Sequence, residues 1–548
     1  MAPNGTTNQN GSSQENPTHT QSQLYLSTRG EDVGFSFEEV VLKGLASDGG
    51  LYVPIQVPRA SSWESWRDLS FSDLAYEIMS LYISPSEIPP SDLKDIISRN
   101  HPLVHLQGNH YLLELFHGPT FAFKDVALQF LGNLFEYFLV RKNEGKTGTE
   151  RHHLTVVGAT SGDTGSAAIY GLRGKKDVSV FIMFPEGRVS PIQQAQMTTV
   201  PDKNVYNLAV NGTFDDCQVA YDAPNHPDIV KALFADEDAN KALNLGAVNS
   251  INWARILAQI VYYFYSYFTL AKTSSDFKLG DKVRFVVPTG NFGDVLAGFF
   301  ALRMGLPIDK LVIATNENDI LDRFWKSGKY EKKPVDSAEA GDGLAVDGAK
   351  AHPGGVKETL SPAMDILVSS NFERLLWFLA YEFASSAGMD DLWNQKQAGQ
   401  EVAQWLRDLK QTGAFGPVYQ DVLKSAKRDF ESERVTDDET IETIRSFYRS
   451  VGYILDPHTA VGAAATQRSI DRAEASTPHI SLSTAHPAKF SGAVEKALKG
   501  EDGFDFEAKV LPPEFIGLEQ KEQRVTKVEN DWQKVREHVK AQVAEELA

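Results

Sequence analysis

HGPTFAFKDVALQF, residues 117–130, decides how the rest of the chain is interpreted. The apolar run YLLELF (111–116) precedes it and predicts a short buried strand that ends at the Gly-Pro turn of residues 118–119. Beyond it, apolar residues recur at steps of three and four, a period that predicts a helix with one buried face: Leu128, Leu131, Phe135 and Phe138. The single lysine of the stretch, Lys124, therefore lies where a buried strand leads into a helix.

Lys124 is flanked by Phe121 and Phe123. A lysine among apolar groups loses hydration of its charged form, so its pKa falls and its neutral amine becomes available as a nucleophile. A lysine that forms Schiff bases needs this property. The alternative is an ordinary surface lysine at a helix start, and these flanking residues by themselves favour that alternative.

Composition restricts the class of protein. The 548 residues exceed one ordinary core and indicate two or three domains, while 42% hydrophobic and 23% charged residues are typical of a globular protein. The net charge of −19 argues against nucleic acid and anionic membranes as general partners, so an anion site would need backbone N–H groups and a few chosen cations. Cys217 is the single cysteine, which excludes an intrachain disulfide and fits a reducing compartment.

The domain organisation follows from changes in composition. The first 22 residues are almost entirely polar and predict a disordered tail without the features of a secretory or transit signal, so we expect a cytoplasmic protein. No apolar run approaches the length of a transmembrane helix. Residues 327–359 are poor in apolar side chains, and we expect a mobile surface insertion there. The predicted units are a tail (1–23), an N-terminal α+β domain (24–105), a central region (106–515) and a C-terminal helix (516–548).

Apolar strand-like runs alternate with helical patterns through the central region. Such alternation predicts βαβ units with mostly parallel sheets, in which ligands bind at the carboxyl ends of the strands. The strand-like runs are residues 152–160, 177–185, 205–210, 283–288 and 310–315, with helices near 192–200 and 214–221. Charged helical sequence is predicted from residue 371 to about 453. A terminal helix is predicted from one apolar face: Val525, Val528, Trp532, Val535, Val539 and Val543.

Three loops at strand–helix junctions have the composition of ligand sites. In GATSGDTGSAA (158–168), small residues let the backbone close around an anion, and Thr160, Ser161 and Thr164 add hydroxyl groups. In PTGNFGDVLAGFF (288–300), the N–H groups at a helix start point to one spot that suits a phosphate; Asp294 would repel it, unless it orients donors or simply caps the helix. HISLSTAHPAKF (479–490) ends a strand in two hydroxyl residues, and a plain N-cap is the alternative there.

Two further segments are rich in polar or small residues. GAVNSINWARI (246–256) holds two asparagines, a serine and Arg255, a set that suits a carboxylate or a phosphate. DPHTAVGAAA (456–465) leads into a small-residue helix that either approaches a ligand or packs closely on a sheet. The two histidines at 152–153 have no matching ligand set, so no metal site is predicted.

Six segments occur in the order in which threonine synthases carry them, and the chain therefore resembles that family between about residues 24 and 515: HGPTFAFKD, ATSGDTGSAA, NSINWARI, PTGNFGD, DPHTAVG and STAHPAKF. The resemblance implies an α/β fold of the fold-type II pyridoxal phosphate (PLP) class, similar to tryptophan synthase β. Two parallel-sheet αβα lobes would make up residues 106–515, beside the N-terminal α+β domain. The fungal or bacterial branch of the family is the one it resembles.

The resemblance also implies a function for these residues. Pyridoxal 5'-phosphate would be the cofactor, and O-phospho-L-homoserine and water would become L-threonine and phosphate, the last step of threonine biosynthesis, in a monomer or homodimer. Lys124 would hold the cofactor and move protons at the substrate carbons. The cofactor phosphate would lie at Gly290, Asn291, Phe292, Gly293 and Asp294, and the pyridine nitrogen at Thr484. The substrate carboxylate would lie at Ser161, Asp163 and Thr164, and the substrate phosphate at Asn249, Ser250 and Arg255.

Three alternatives accompany this interpretation. A related phospholyase would release 2-oxobutyrate from the same kind of site. A serine or threonine dehydratase is disfavoured because many of those enzymes have a run of glycines where this chain has PTGNFGD. A catalytically silent relative that binds phosphorylated ligands is disfavoured by the intact Lys124 and loops.

Overall fold

The structure is a computed structural model that describes residues 23–97, 101–160, 162–211, 229–332, 350–351, 355–385, 388–474 and 476–547. Several predictions from the sequence fall outside these ranges. They are the tail, the helix at 214–221, Cys217, Ser161 and most of the insertion at 327–359.

The described residues contain strands and helices in mixed order. The strands are β1 (Tyr25–Ser27), β2 (Val33–Phe35), β3 (Tyr52–Pro54), β4 (Leu103–Gln107), β5 (His110–Glu114), β6 (Leu154–Ala159), β7 (Val178–Pro185), β8 (Val205–Val210), β9 (Leu245–Gly246), β10 (Val283–Pro288), β11 (Ile308–Thr315), β12 (Tyr330–Glu331), β13 (Lys350–Ala351), β14 (Lys357–Glu358), β15 (Ala414–Phe415), β16 (Phe430–Arg434), β17 (His479–Ser483) and β18 (Thr526–Val528). The α-helices are Phe37–Lys43, Phe71–Ser80, Pro90–Ile96, Lys124–Lys142, Asp163–Leu172, Pro191–Thr198, Ile229–Ala235, Glu237–Leu243, Trp253–Thr273, Gly293–Met304, Ile320–Ser327, Phe372–Ser385, Asp391–Thr412, Gln420–Asp429, Asp437–Val451, Pro457–Arg472, Ser491–Leu498, Phe506–Lys509 and Trp532–Leu547.

A six-stranded sheet in the order β16-β11-β10-β17-β5-β4 forms the first lobe. Its pairs are parallel except for β4 and β5, which are antiparallel. Because β10, β17 and β5 are parallel neighbours, their carboxyl ends meet at one edge. That edge brings together the segment that follows β5 and contains Lys124, the residue after β17, Thr484, and the PTGNFGD loop after β10.

A five-stranded, entirely parallel sheet in the order β18-β8-β7-β6-β9 forms the second lobe. β6 and β7 are buried at every position, as their nearly continuous apolar sequences require of strands covered on both faces. The neighbours β6 and β9 lead into the loop at 160–162 and the segment at 247–252. The predicted α/β class is confirmed.

The helix Lys124–Lys142 lies between the lobes and presents the predicted face to the core: Leu128, Leu131, Phe135 and Phe138 are buried. It packs against the helix Asp163–Leu172 with almost no space between the backbones. A Cβ added to Gly132 would lie 2.0 Å from the carbonyl oxygen of Gly171, so only glycine permits this approach. The close packing fixes the start of one helix, Lys124, relative to the start of the other, Asp163.

The N-terminal unit consists of a small sheet, β2-β1-β3, with short helices around it. It is attached to the first lobe through Arg29, whose Nε and Nη2 atoms each donate to the Glu373 carboxylate at 3.0 Å. The end of the predicted N-terminal domain, from Leu103, pairs in the six-stranded sheet through β4.

Two predictions from charge and periodicity were wrong. The charged sequence from 371 to 453 is mostly helical, but it also contains the two-residue strand β15 and the edge strand β16. The charged side chains of β16 pair with arginines of neighbouring elements, as Glu431 does with Arg284. The terminal helix was predicted for residues 516–548, with Val525 and Val528 on its apolar face, but it begins only at Trp532. Residues Thr526–Val528 instead pair in parallel with β8, because the exposed edge of that sheet accepts another strand. Within the described ranges, no helix is long and apolar enough to cross a membrane.

Candidate active site

Lys124 is the first residue of its helix, and the end of β17 fixes the backbone that precedes it. The Phe123 N–H donates to the carbonyl oxygen of Thr484 at 2.8 Å. Ala122 and Ala485 form an isolated antiparallel bridge. These contacts join two neighbouring strand ends directly, so Lys124 and Thr484 occupy one site.

Phe121, three residues before Lys124, has a positive φ of 58°. A bulky residue adopts this conformation only when its surroundings enforce it. The Phe121 ring lies edge-on to His486 at 5.5 Å and to Phe515 at 4.9 Å between ring centroids, and its carbonyl oxygen accepts from the His486 N–H at 3.1 Å. Aromatic packing from the C-terminal part of the chain therefore holds the turn that leads to Lys124.

The Lys124 side chain is partly accessible, as an amine that must meet a ligand has to be. The surrounding protein still removes enough water to lower the pKa of Lys124 to about 8. The Asp163 charge opposes this shift, Arg255 and Lys489 add to it, and Asp125 opposes it weakly. The neutral amine predicted from the apolar flanks is therefore accessible close to neutral pH.

A buried ion pair that sequence reasoning did not predict lies beside Lys124. The Lys489 ammonium, whose side chain is fully buried, is 2.7 Å from Asp163 Oδ1 and donates to the carbonyl oxygen of Thr120 at 2.8 Å. Gln193 Nε2 donates to the same Asp163 oxygen at 2.7 Å. Although burial opposes its ionisation, the charges of Lys489 and Lys124 hold the pKa of the Asp163 carboxyl well below its usual range. Lys489 lies within STAHPAKF, and a lysine so close to an apolar strand end was the available signal.

The ATSGDTG loop after β6 folds tightly around Thr160. Its hydroxyl oxygen accepts from the N–H groups of Gly162 at 2.9 Å and Gly165 at 2.8 Å, and this closes the turn into the following helix. Gly162 has φ +139°, and a Cβ there would lie 2.5 Å from Oε1 of the Gln193 side chain, so glycine is required. Thr164 is half-buried at the first turn of the helix, next to the engaged Asp163. Ser161 lies outside the described residues.

The PTGNFGD loop after β10 has the geometry of an anion site. Phe292 adopts a left-handed conformation, φ +64°, and the helix Gly293–Met304 begins directly after it. The first N–H groups of a helix have no partner within the helix, and its dipole favours negative charge there. A Cβ on Gly290 would lie 3.0 Å from the Ala363 carbonyl oxygen and 3.1 Å from Met364 Cα, so a larger residue would disturb this cradle.

Residues Ser369–Asn371, which were not predicted to belong to the site, hold this loop in place. Ser369 Oγ donates to the Gly290 carbonyl oxygen at 2.6 Å, and Ser370 Oγ donates to Asn291 Oδ1 at 3.1 Å. The Asn371 backbone N–H donates to the Asn291 carbonyl oxygen at 3.1 Å. Ser369–Asn371 follow the unusual insertion, whose low-apolar composition concealed their proximity to the loop.

Asp294 directs its carboxylate toward the helix Trp253–Thr273. Its Oδ1 atom accepts from the hydroxyl groups of Tyr262 at 2.5 Å and Tyr263 at 3.0 Å, while Oδ2 is buried without a hydrogen bond in the described residues. Burial raises the pKa of Asp294 to about 6, although both tyrosines oppose that shift. The two tyrosine hydroxyl groups thus hold the Asp294 carboxylate at the start of the helix Gly293–Met304.

Arg255 approaches the site from the second lobe, near the start of the helix Trp253–Thr273. Its Nη1 atom donates to the Val248 carbonyl oxygen at 3.0 Å, its buried Nε has no partner among the described residues, and burial lowers its pKa to about 10. Asn371 Nδ2 donates to the carbonyl oxygens of both Ser250 and Asn291 at 3.1 Å. Asn249 and Ser250 are half-buried beside this bridge, which connects the two polar loops.

The DPHTAVG segment supports Thr484. The Thr484 N–H donates to Thr459 Oγ1 at 3.2 Å, and Thr459 lies in the first turn of a helix capped by Asp456. His458 Nδ1 contacts Asp456 Oδ1 at 2.9 Å, and its Nε2 accepts from the Ala363 N–H at 3.1 Å, which places the ring hydrogen on Nδ1. Of the two interpretations left open for this segment, the structure favours a close contact with the sheet.

The chemistry of these groups fits pyridoxal phosphate. An amine with a depressed pKa, a hydroxyl group and an anion-binding helix start project from three neighbouring strand ends, and the glycine cradle at Gly290 leaves room for the phosphate. In the described part of the chain, no three His, Cys, Asp or Glu side chains are grouped as metal ligands.

Comparison with known proteins gives three matching family models: "Threonine synthase N terminus" over residues 24–101, "Pyridoxal-phosphate dependent enzyme" over 98–361, and "Threonine synthase, C-terminal" over 459–539. A threonine synthase of Schizosaccharomyces pombe is 55% identical over 506 residues, which cover 90% of this chain and 93% of that protein.

Two solved structures extend the similarity to three dimensions. Threonine synthase from yeast aligns with a TM-score of 0.84 at 51% identity and covers 96% of this chain and 99% of its own. The PLP-bound threonine synthase from Brucella melitensis aligns with a TM-score of 0.78 at 39% identity and covers 95% and 99%. The fold-type II class and the pyridoxal phosphate cofactor predicted from the sequence are confirmed.

Proposed function

Because the chain belongs to the threonine synthase family, we propose that the site around Lys124 converts O-phospho-L-homoserine and water into L-threonine and phosphate. The enzyme is a pyridoxal-phosphate-dependent lyase of threonine biosynthesis. The observation that carries the residue assignment is the position of Lys124. Its amine has a pKa lowered to about 8 and lies at the same sheet edge as an anion-binding helix start.

Three groups of the first lobe would hold the cofactor. Lys124 would provide the covalent link to its aldehyde, and the N–H groups of Gly290–Gly293 with the following helix start would bind its phosphate. The Thr484 hydroxyl, which makes no hydrogen bond within the described residues, would face the pyridine nitrogen. Bound pyridoxal phosphate supplies an electron sink that stabilises negative charge at the substrate carbons.

The second lobe would hold the substrate. Asp163 is already engaged by Lys489 and Gln193, so within the predicted carboxylate loop the Thr164 hydroxyl and the neighbouring N–H groups are the available donors. Ser161, three residues before Thr164 in the sequence, is assigned to the same task by the family motif. The unpartnered Nε of Arg255, with Asn249 and Ser250, supports binding of the substrate phosphate.

Lys124 would perform the proton transfers. With the substrate in place, the neutral lysine amine would accept the Cα proton, give it up, and then accept a Cβ proton. The Cγ–O bond would then break with departure of inorganic phosphate, whose charge Arg255 would offset. Lys124 would return a proton to Cγ, the oxygen of a water molecule would add to Cβ, and Cα would regain a proton. Cα, Cβ and water together release three protons, of which two return to Cγ and Cα and the third leaves with the phosphate. The product gains the elements of water and loses phosphate, so atoms balance.

The location and assembly of the enzyme are also inferred. A single cysteine in 548 residues fits a reducing, cytoplasmic compartment. We infer a monomer or a homodimer.

The test combines substrate turnover with removal of Lys124. Purified protein with pyridoxal phosphate should release phosphate from O-phospho-L-homoserine and form threonine, whereas 2-oxobutyrate as the main product would identify a phospholyase and contradict the proposal. Lys124→Ala should abolish both turnover and the absorbance of covalently bound cofactor. Lys142→Ala changes an exposed lysine at the other end of the same helix and should retain both. Retention of either signal by Lys124→Ala would refute the assignment.

A further inference from the structure

The ion pair between Lys489 and Asp163 connects the two lobes next to the turn that leads to Lys124. Lys489 follows β17 of the first lobe, and Asp163 follows β6 of the second. The 2.7 Å contact is fully buried on the lysine side, and the third partner, the Thr120 carbonyl oxygen, lies four residues before Lys124. A buried ammonium is costly to desolvate and is retained only with close partners. Neither the predicted cofactor contacts nor the predicted substrate contacts explain it.

We propose that Lys489 is a positioning residue that occupies Asp163 as its counter-ion and thereby keeps the Lys124 amine in its neutral, reactive form. The proposal rests on the role of Lys124 given above. It assigns Lys489 no contact with substrate or cofactor. Its effect passes through the carboxylate of Asp163 and through its own positive charge.

The charges that face Lys124 support this role. They belong to Asp163, Arg255, Lys489 and Asp125. The Asp125 carboxylate is engaged by Thr120, whose N–H donates at 2.8 Å and whose hydroxyl donates at 2.6 Å.

Asp163 is therefore the carboxylate that would otherwise stabilise an ammonium on Lys124. Three cationic or basic groups lower the pKa of Asp163, in decreasing order of effect Lys489, Lys124 and His458. Lys489 is the one in direct contact. Removal of the Lys489 charge should favour the ammonium form of Lys124 in two ways. It removes a repelling cation, and it frees a carboxylate to favour the charged amine.

The test measures how fast Lys124 attaches pyridoxal phosphate as the pH changes. Cofactor is removed from the full-length protein, pyridoxal phosphate is added back, and the absorbance of the covalently bound form is followed between pH 6 and 10. Only the neutral amine reacts, so the rate rises with pH up to the pKa of Lys124. Loss of a nearby charge shifts the pKa of such a group by about one unit or more.

Lys489→Met should therefore shift the rate profile to higher pH by about one unit. Attachment at pH 7 should be about tenfold slower and should recover at high pH. The acidic limb of kcat should move in the same direction. Lys489→Arg keeps the charge and should stay close to the wild-type profile. Lys496→Met, on the next helix and exposed, is the matched control and should leave the profile in place. Asp163→Asn should shift the profile to lower pH, because it removes the charge that favours the Lys124 ammonium.

A profile for Lys489→Met that is lower at every pH but not displaced would identify a purely structural role and overturn the proposal. If Lys489→Met does not fold, an Asp163→Asn profile that is not shifted to lower pH overturns the proposal equally. The attachment assay contains no amino-acid substrate. An error in the proposed reaction would therefore appear in the turnover experiment and leave this result unaffected.

Discussion

Phe515, far from Lys124 in sequence, is expected to control catalysis through Phe121. Its ring is buried, with 4% of its surface exposed, in an apolar cluster that joins the C-terminal segment to the catalytic turn. It meets the Phe121 ring edge-on at a centroid distance of 4.9 Å. The perturbation is Phe515→Ala, which removes this contact and leaves the backbone of the segment unchanged.

The magnitude follows from the burial and from the strain at Phe121. Truncation of a buried phenylalanine costs about 3–5 kcal/mol, of which the aromatic pair contributes about 0.5–1.5 kcal/mol. Phe121, at φ +58°, stores about 1–3 kcal/mol of backbone strain. Because the lost packing is at least as large as this strain, the turn can relax and displace Lys124. A displacement of about 1 Å can lower the rate about a hundredfold, so we expect kcat to fall by about ten- to a hundredfold.

The assay compares kcat, KM, the absorbance of bound cofactor and the Tm of Phe515→Ala with those of Ile516→Ala. Ile516 is adjacent but 67% exposed, and its truncation should change stability by no more than about 0.5 kcal/mol. We expect a lower Tm and a lower kcat in Phe515→Ala, and wild-type values in Ile516→Ala. A Phe515→Ala enzyme that melts earlier but keeps its kcat would refute the positioning argument, as would an equal loss in both variants.

Two buried charged groups give further predictions. Asp294 has a pKa of about 6 against an ordinary value of 3.8, so its contribution to stability is full below pH 4 and falls by about 3 kcal/mol as the pH rises through 6. Asp294→Asn cannot ionise, and its Tm relative to wild type should therefore rise between pH 4 and 6 and level off above 7; a difference independent of pH would contradict the assignment. Arg255→Met should raise the KM for O-phospho-L-homoserine by about ten- to a hundredfold, because a charged hydrogen bond is worth about 1.5–3 kcal/mol. Weaker cofactor binding with an unchanged KM would instead assign Arg255 to the cofactor phosphate.

Local periodicity predicted the elements of the fold with good accuracy where strands are buried along all or most of their length. β6, β7, β8, β10 and β11 occur within a few residues of the expected ranges, because near-continuous apolar sequence has few other structural solutions. The prediction was wrong where the chain supplies a sheet edge. β16 and β18 lie at sheet ends, have charged or exposed residues, and acquire their strand conformation from one neighbour alone. Their own sequence carries no period that distinguishes them from helix or loop.

The loops of the site were predictable because the residues that form each loop are close together in the sequence. A strand end, a glycine and a helix start lie within about ten residues, and the resulting donors follow from backbone geometry. What the sequence did not indicate is which distant side chains occupy the charges of those loops. Asp163 was assigned to the substrate carboxylate, but its carboxylate is held by Lys489, which lies 326 positions further along the chain. Such pairs depend on the meeting of two lobes, which no window of sequence contains.

For the same reason, the apolar flanks of Lys124 do not by themselves determine its protonation state. Desolvation by Phe121 and Phe123 lowers the pKa of an amine only while no free carboxylate is nearby, since one close negative charge can cancel the shift. The site contains two such carboxylates, and each has been given other partners: Asp125 receives the hydrogen bonds of Thr120, and Asp163 receives Lys489. The reactive state of Lys124 is thus set by what its acidic neighbours bind rather than by its own apolar surroundings alone. A substitution that frees either carboxylate should therefore reduce reactivity near neutral pH even when every residue that contacts the ligands is intact.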